Sequence, residues 1–180
     1  SEVLTESARS LIEQAWGVSP YNQYASTESA EIASECTAGR RLHLYEDLVI
    51  TEVVGEDYQP VPPGEYGAKL LITTLFSRTQ PLIRYELNDS IRLSAEACTC
   101  GLPFAVVDGI QGRLEDTLHL PGKSGARIAV PPLVFNRVMD VLPISGWQVI
   151  QGPDDSLTVL IQNAKNGLTD AALIEMLGRE

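Results

Sequence analysis

Gly112-Arg113-Leu114-Glu115-Asp116-Thr117-Leu118-His119-Leu120-Pro121-Gly122 places an arginine, two acids and a histidine inside a glycine-proline frame. The sequence before it reads as strands and turns. The sequence after it reads as a small, separate unit of helices and strands. A charged segment at such a junction is either a plain surface turn or a hinge that touches ligand. Its neighbours in the chain have to decide which.

The 180 residues suffice for one good core or two small ones. Hydrophobic content of 44% and charged content of 21% are ordinary for a globular protein and argue against wholesale disorder. The net charge of −11 repels phosphate backbones and anionic surfaces, so neither nucleic acid nor a membrane is expected as a partner. No run reaches the about 18 to 20 apolar residues needed to span a bilayer. Ser1 to Glu6 lacks the basic start and apolar stretch of a signal peptide. Three cysteines, two of them in Cys98-Thr99-Cys100, do not make a secreted disulfide framework, which suits a reduced, cytoplasmic protein. Ser1 is not Met, and Arg179-Glu180 falls within a helical pattern, so the chain is expected to be a piece of a longer protein.

Upstream of the junction, Ala8, Leu11, Ile12, Ala15 and Trp16 form a helical stripe, with Thr5 as N-cap and Gly17 as stop. Strands are expected within Leu42 to Val54, over Tyr66 to Leu75, Ile83 to Leu87 and Ile91 to Ser94, with a turn at Pro60 to Gly64. Two strand-like runs flank Gly109 and Gly112 between Phe104 and Leu120. Downstream, Pro131-Pro132 opens a helix facing inward through Leu133, Val134, Val138, Met139 and Leu142. Trp147 to Ile150 and Leu157 to Ile161 read as strands joined at Gly152 to Asp155. Thr169 caps a last helix with Leu173, Ile174 and Leu177 inward. The fold class is therefore α+β, a strand-rich portion followed by a small α+β unit with one sheet face under two helices.

Four groups of residues could carry chemistry. Tyr24-Ala25-Ser26-Thr27-Glu28 offers a ring to stack on a base, hydroxyls for a phosphate oxygen and a carboxylate for Mg²⁺. By itself it is most simply a polar strand-to-helix turn. Asp89, in Arg84-Tyr85-Glu86-Leu87-Asn88-Asp89, sits in a turn where a carboxylate can accept two ribose hydroxyls, though Asn-Asp is also ordinary turn chemistry. Cys36, His43, Cys98 and Cys100 make a possible zinc set of three thiolates and an imidazole. Spacing alone equally describes three buried thiols and a surface histidine, but all three cysteines fall in these two clusters. His119 has no nucleophile context and reads as a surface residue.

In this order, the motifs resemble those of the adenylate-forming ligase superfamily, in particular the phenylacetate-CoA ligase and capsular-polysaccharide-biosynthesis branch. Tyr24 to Glu28 is similar to that family's Tyr-Gly-x-Thr-Glu, with Ala25 for Gly. Glu35-Cys36, Leu42-His43-Leu44 and Glu46-Asp47 resemble a block of the phenylacetate branch. Pro81-Leu82-Ile83-Arg84-Tyr85 through Asp89 resembles its PLIRYRTGD segment, with Asn88 for Gly. Cys98-Thr99-Cys100-Gly101 resembles Cys-x-Cys-Gly, and Gly112 to Asp116 resembles the Gly-Arg-x-Asp-Asp hinge. The likeness is detailed over residues 1 to 120 and holds in outline beyond.

The resemblance implies that Tyr24 lies against adenine, Thr27 contacts the α-phosphate, Glu28 ligates Mg²⁺ and Asp89 holds the ribose. It implies that Arg113 reaches ribose or phosphate, and that Glu115 is the pivot between a large AMP-binding domain, residues 1–112, and a small mobile domain, residues 113–180. It implies ATP, Mg²⁺, a carboxylic acid and coenzyme A or a carrier-protein thiol as ligands, and it favours structural zinc on Cys36, His43, Cys98 and Cys100. The family's phosphate loop is expected before Ser1 and its adenylation lysine after Glu180; Lys165 lacks that lysine's context. This chain alone is thus expected not to catalyse ATP–pyrophosphate exchange. A zinc-stabilised scaffold module without catalysis is the alternative, and an oligomer is possible.

Overall fold

The computed structural model describes residues 4–122, 125–164 and 168–178. Helix α1, Glu6–Trp16, starts where expected, because the Thr5 hydroxyl accepts the Ala8 N–H at 3.2 Å. It stops at Gly17, whose φ of +68° is left-handed backbone that glycine adopts without strain. Its packing face differs from the periodic stripe. Leu11 and Trp16 are 60% and 72% exposed, and the buried residue of α1 is Arg9.

Strands β1, Gln23–Ser26, β2, Ala30–Glu35, and β3, Leu42–Leu44, follow. Next come β4, Val49–Val54, β5, Lys69–Thr74, β6, Tyr85–Leu87, β7, Asp89–Leu93, and β8, Val106–Arg113. They form a five-stranded sheet ordered β1-β2-β3-β8-β7 and a three-stranded sheet ordered β4-β5-β6. Neighbours pair antiparallel throughout. One core joins the sheets: Tyr24, Ile32, Leu44, Ile91 and Val107 from the first meet Val49, Val53, Leu70, Ile72 and Leu87 from the second. These side chains are close to fully buried, each worth about 1.5–3 kcal/mol of transfer free energy, so this double layer is the stable body of the chain.

Several boundaries differ from the pattern-based expectation. The 24–28 motif ends a strand and turns into another strand, so it is a β-hairpin rather than a strand-to-helix turn. Asp89 opens β7 instead of sitting in a turn, since its backbone pairs with Arg113. Gly109 and Gly112 lie within β8, not between strands. Gly109 is required there because a Cβ would meet the Tyr66 hydroxyl at 2.3 Å. Tyr66 itself precedes β5 and makes an isolated bridge to Arg92.

After a 3₁₀ turn, Leu114–Asp116, strand β9, Leu118–Pro121, pairs with β10, Arg127–Val130, a strand the apolar pattern did not indicate. Helix α2, Pro132–Met139, begins with proline as expected and buries Phe135, Val138 and Met139. Strands β11, Gly146–Gln151, and β12, Leu157–Gln162, form a second hairpin, and α3, Asp170–Leu177, is capped by Thr169. The expected single sheet under two helices is instead two two-stranded hairpins with α2 and α3. Ile174 is 70% exposed, so α3 turns Leu173 inward and Ile174 outward. Among the described residues no helix is long and apolar enough to cross a membrane.

Candidate functional site

The hydrogen-bonded edge formed by β7 and β8 brings together residues far apart in sequence. Asp89 and Arg113 are register partners. From β1, on the far side of the sheet, the Tyr24 ring enters the core and its hydroxyl donates to Asp89 Oδ2 at 2.6 Å. Burial, and then the adjacent carboxylate charge, push the Tyr24 phenol far above its ordinary value, with Arg113 opposing. Tyr24 therefore stays protonated and donating at any working pH.

These three residues line a cleft of about 910 Å³ between the five-stranded sheet and the downstream unit. The opposite wall comes from α2 and β11, through Phe135, Asn136, Trp147 and Gln148. Asp116 of the 3₁₀ turn also faces the cleft. Cleft and junction thus coincide. Thr27 and Glu28 are not in the lining: they are exposed on the β1–β2 turn, where the Ser29 N–H bonds Ser26 Oγ at 3.1 Å. Glu115 lies in the 3₁₀ turn, but its side chain is outside the described residues, as is all of Lys165. His119 is exposed on β9, as expected of a surface residue.

Two long-range contacts of α1 had no local sequence signal. Thr5, besides capping α1, donates through its hydroxyl to Asp140 Oδ2 at 2.7 Å, tying α1 to the end of α2. Arg9 reaches Glu35 at 2.8 and 3.1 Å and the Pro20 carbonyl at 2.7 Å, while Glu35 accepts the Asn22 N–H at 2.9 Å. Both partners of that ion pair are buried. Charge patterning along α1 cannot identify a partner lying on β2.

At the other end of the sheet, β2, β3 and the β7–β8 loop converge. Cys36 follows β2, His43 is central in β3, and Cys98 and Cys100 belong to the loop. Their donor atoms all lie within 4.8 Å of one another. The Cys36 and Cys98 sulfurs are 3.7 Å apart, and Cys100 Sγ is 3.3 Å from His43 Nε2. Four ligands around zinc with Zn–S of about 2.3 Å set sulfur–sulfur edges of about 3.8 Å, so the donors already stand close to tetrahedral spacing. His43 Nδ1 is 3.3 Å from the Phe104 carbonyl; donating there leaves Nε2 with its lone pair toward the sulfurs. Burial pushes the Cys36 thiol up, but hydrogen bonds from the backbone of Arg41 and Gly39, with the side chains of Cys98 and His43 close by, outweigh it and bring it down to about 6. His43 is 4% exposed, so it is not the surface histidine of the plainer reading. Gly39 allows the close approach of the two loops, since a Cβ there would stand 3.2 Å from Cys98 Sγ.

The chain thus has two antiparallel sheets about one core, followed by a small unit across a cleft at Gly112-Arg113. By fold the chain resembles a 2-hydroxyisobutyryl-CoA ligase, with a TM-score of 0.75 at 19% identity over 88% of this chain and 34% of that one. An anthranilate CoA ligase gives 0.69 at 18% over 98% and 35%. No family model matches the chain. In sequence it is 36% identical over 156 residues to the phenylacetate-coenzyme A ligase of Thermus thermophilus, across 83% of this chain and 34% of that protein. It is 32% identical over 97 residues to Protein CapK of Staphylococcus aureus, across 53% of this chain and 20% of that protein. The chain belongs to the adenylate-forming ligase superfamily, in the branch of phenylacetate-CoA ligase and CapK, and spans about a third or less of the length of these relatives.

Proposed function

We propose that the chain is part of an ATP-dependent ligase that activates a carboxylic acid as its acyl-adenylate and passes the acyl group to coenzyme A or another thiol. The observation carrying this reading is the convergence of Tyr24, Asp89 and Arg113 on one cleft. It is supported by the similarity to a phenylacetate-coenzyme A ligase and to ligases solved with acyl-adenylates and CoA. In the first half-reaction the carboxylate oxygen attacks the α-phosphorus of ATP and pyrophosphate leaves. In the second, a thiolate attacks the acyl carbon and AMP leaves.

Asp89 accepts the ribose hydroxyls, because a carboxylate is an acceptor on both oxygens and, among the described residues, Tyr24 holds only Oδ2. Arg113 supplies a fixed cation beside ribose or phosphate. Thr27 and Glu28, exposed on their hairpin turn, would contact the α-phosphate and hold Mg²⁺, which when bound would supply positive charge to offset the phosphates. Residues 1–112 belong to the large nucleotide-binding domain and residues 113–180 to the small mobile domain, with Glu115 at the pivot. Cys36, His43, Cys98 and Cys100 hold a structural zinc that pins the β7–β8 loop to β2 and β3; the sulfur spacing and the Nε2-facing histidine support this. A cytoplasmic location is part of the same reading.

Calorimetric titration of the full chain with AMP tests the nucleotide site. The wild type binds, and Asp89→Ala weakens binding about ten-fold or more while the thermal transition is retained. Equal affinity in the variant removes Asp89 from the site, and no binding by the wild type rejects the nucleotide reading.

A further inference from the structure

The family resemblance gives the Tyr24 ring to the base, and its hydroxyl makes a further contact. The ring is 8% exposed and belongs to the core cluster with Ile32, Ala33 and Leu44, which holds it in place. Tyr24 is part of the cleft lining, and its hydroxyl ends on Asp89 Oδ2 at 2.6 Å. Asp89 is only half-buried and opens a strand, so one backbone attachment and two side-chain torsions set its carboxylate.

We propose that Tyr24 is a positioning residue, whose hydroxyl fixes the Asp89 carboxylate so that its free oxygen meets the ribose hydroxyls, making the site selective for ribose over deoxyribose. This rests on the nucleotide reading above and adds a role to it. Oδ2 is engaged by a donor held in the core, which leaves Oδ1, among the described residues, as the oxygen with unshared acceptor capacity. A short charge-assisted hydrogen bond of this kind restricts the rotation that would spread the carboxylate over several orientations. Without the hydroxyl, Asp89 keeps its charge but not its aim. Affinity then falls in the part of the ligand Asp89 touches and not in the base.

The experiment compares AMP with 2′,3′-dideoxy-AMP as probes on the full chain, for the wild type, Tyr24→Phe and Asp89→Ala. Phenylalanine keeps the ring in the core, so the fold is retained, and circular dichroism monitors this. The expected result is that the wild type prefers AMP, that Asp89→Ala abolishes the preference, and that Tyr24→Phe lowers the affinity ratio about five-fold, with dideoxy-AMP affinity little changed. A merely structural Tyr24 would weaken both probes equally and leave the ratio unmoved, which overturns the proposal. Should Asp89→Ala abolish the preference while Tyr24→Phe preserves it, the proposal fails and the nucleotide site stands. Should the wild type bind neither probe, the nucleotide reading fails and the proposal with it.

Discussion

Arg9 on α1 and Glu35 at the end of β2 form a buried ion pair with Nη2 at 2.8 Å from Oε1, and each partner is satisfied further by backbone. The pair attaches the helix to the sheet. It does so with a charged residue where the helix periodicity, read alone, points to Leu11 and Trp16.

Glu35→Ala leaves the Arg9 guanidinium buried without its carboxylate. It is expected to destabilise the chain by about 3–5 kcal/mol in urea unfolding. The double variant Arg9→Met, Glu35→Leu recovers most of that loss, because the desolvation of both charges disappears with their attraction. A double variant as unstable as the single one would show that the pair's neighbours, and not the unpaired charge, set the cost.

The Cys/His cluster is expected to hold about one zinc per chain by elemental analysis. Removing it with a chelator, or replacing Cys98 by Ser, should lower the thermal midpoint and loosen the 94–105 loop first, because Cys98 and Cys100 join that loop to Cys36 and His43. Purified protein that is fully folded and metal-free contradicts this. A Cys98→Ser protein of unchanged midpoint would do the same.

Thr5 performs two tasks, capping α1 and bonding Asp140. Thr5→Ala therefore costs about 1 kcal/mol from the cap and also raises amide exchange at the end of α2. Asp140→Ala raises α2 exchange but leaves the α1 cap in place. Hydrogen exchange read by mass spectrometry separates the two; equal protection of α2 in all three proteins would mean that the Thr5–Asp140 bond carries no coupling.

The Tyr24 phenol ionises near 10 when unfolded but not in the fold, where burial and Asp89 raise it. A folded pKa raised above the unfolded one gives stability that is whole below pH 10 and declines as pH rises further. The contribution falls by about 1.4 kcal/mol per pH unit for one proton. Tyr24→Phe removes this slope. Urea midpoints from pH 9 to 11 should therefore converge for the two proteins as pH rises, and parallel curves would refute the assignment.

Much of the fold was legible locally. Thr5, Gly17, Pro132 and Thr169 mark helix ends because caps act within one turn, and the 152–155 turn marks its hairpin for the same reason. β10 was missed because Arg127–Val130 is short and largely exposed, so it has no buried face to leave a pattern. Ile174 misled because a helical stripe states which residues share a face, not how much of that face is covered. The cleft residues Tyr24, Asp89 and Arg113 were singled out by motif order, but nothing in their spacing revealed that a phenol touches a carboxylate.

The junction at residues 112–122 shows the division most clearly. Composition and residue order by themselves determined an acidic α+β chain, its helix ends, its four metal-donor candidates and its Gly-Arg junction, and its motifs carried a resemblance to the adenylate-forming ligases. These depend on chemistry within a few residues, or on the sequence of motifs, both of which a linear text preserves. The tertiary structure alone decided that Cys36 meets Cys98, that Glu35 holds Arg9, that Thr5 reaches Asp140 and that Arg113 faces the cleft beside Asp89. Each of those depends on strand order and register. The β1-β2-β3-β8-β7 sheet brings together segments separated by dozens of residues, and that pairing is set by which faces can be buried together.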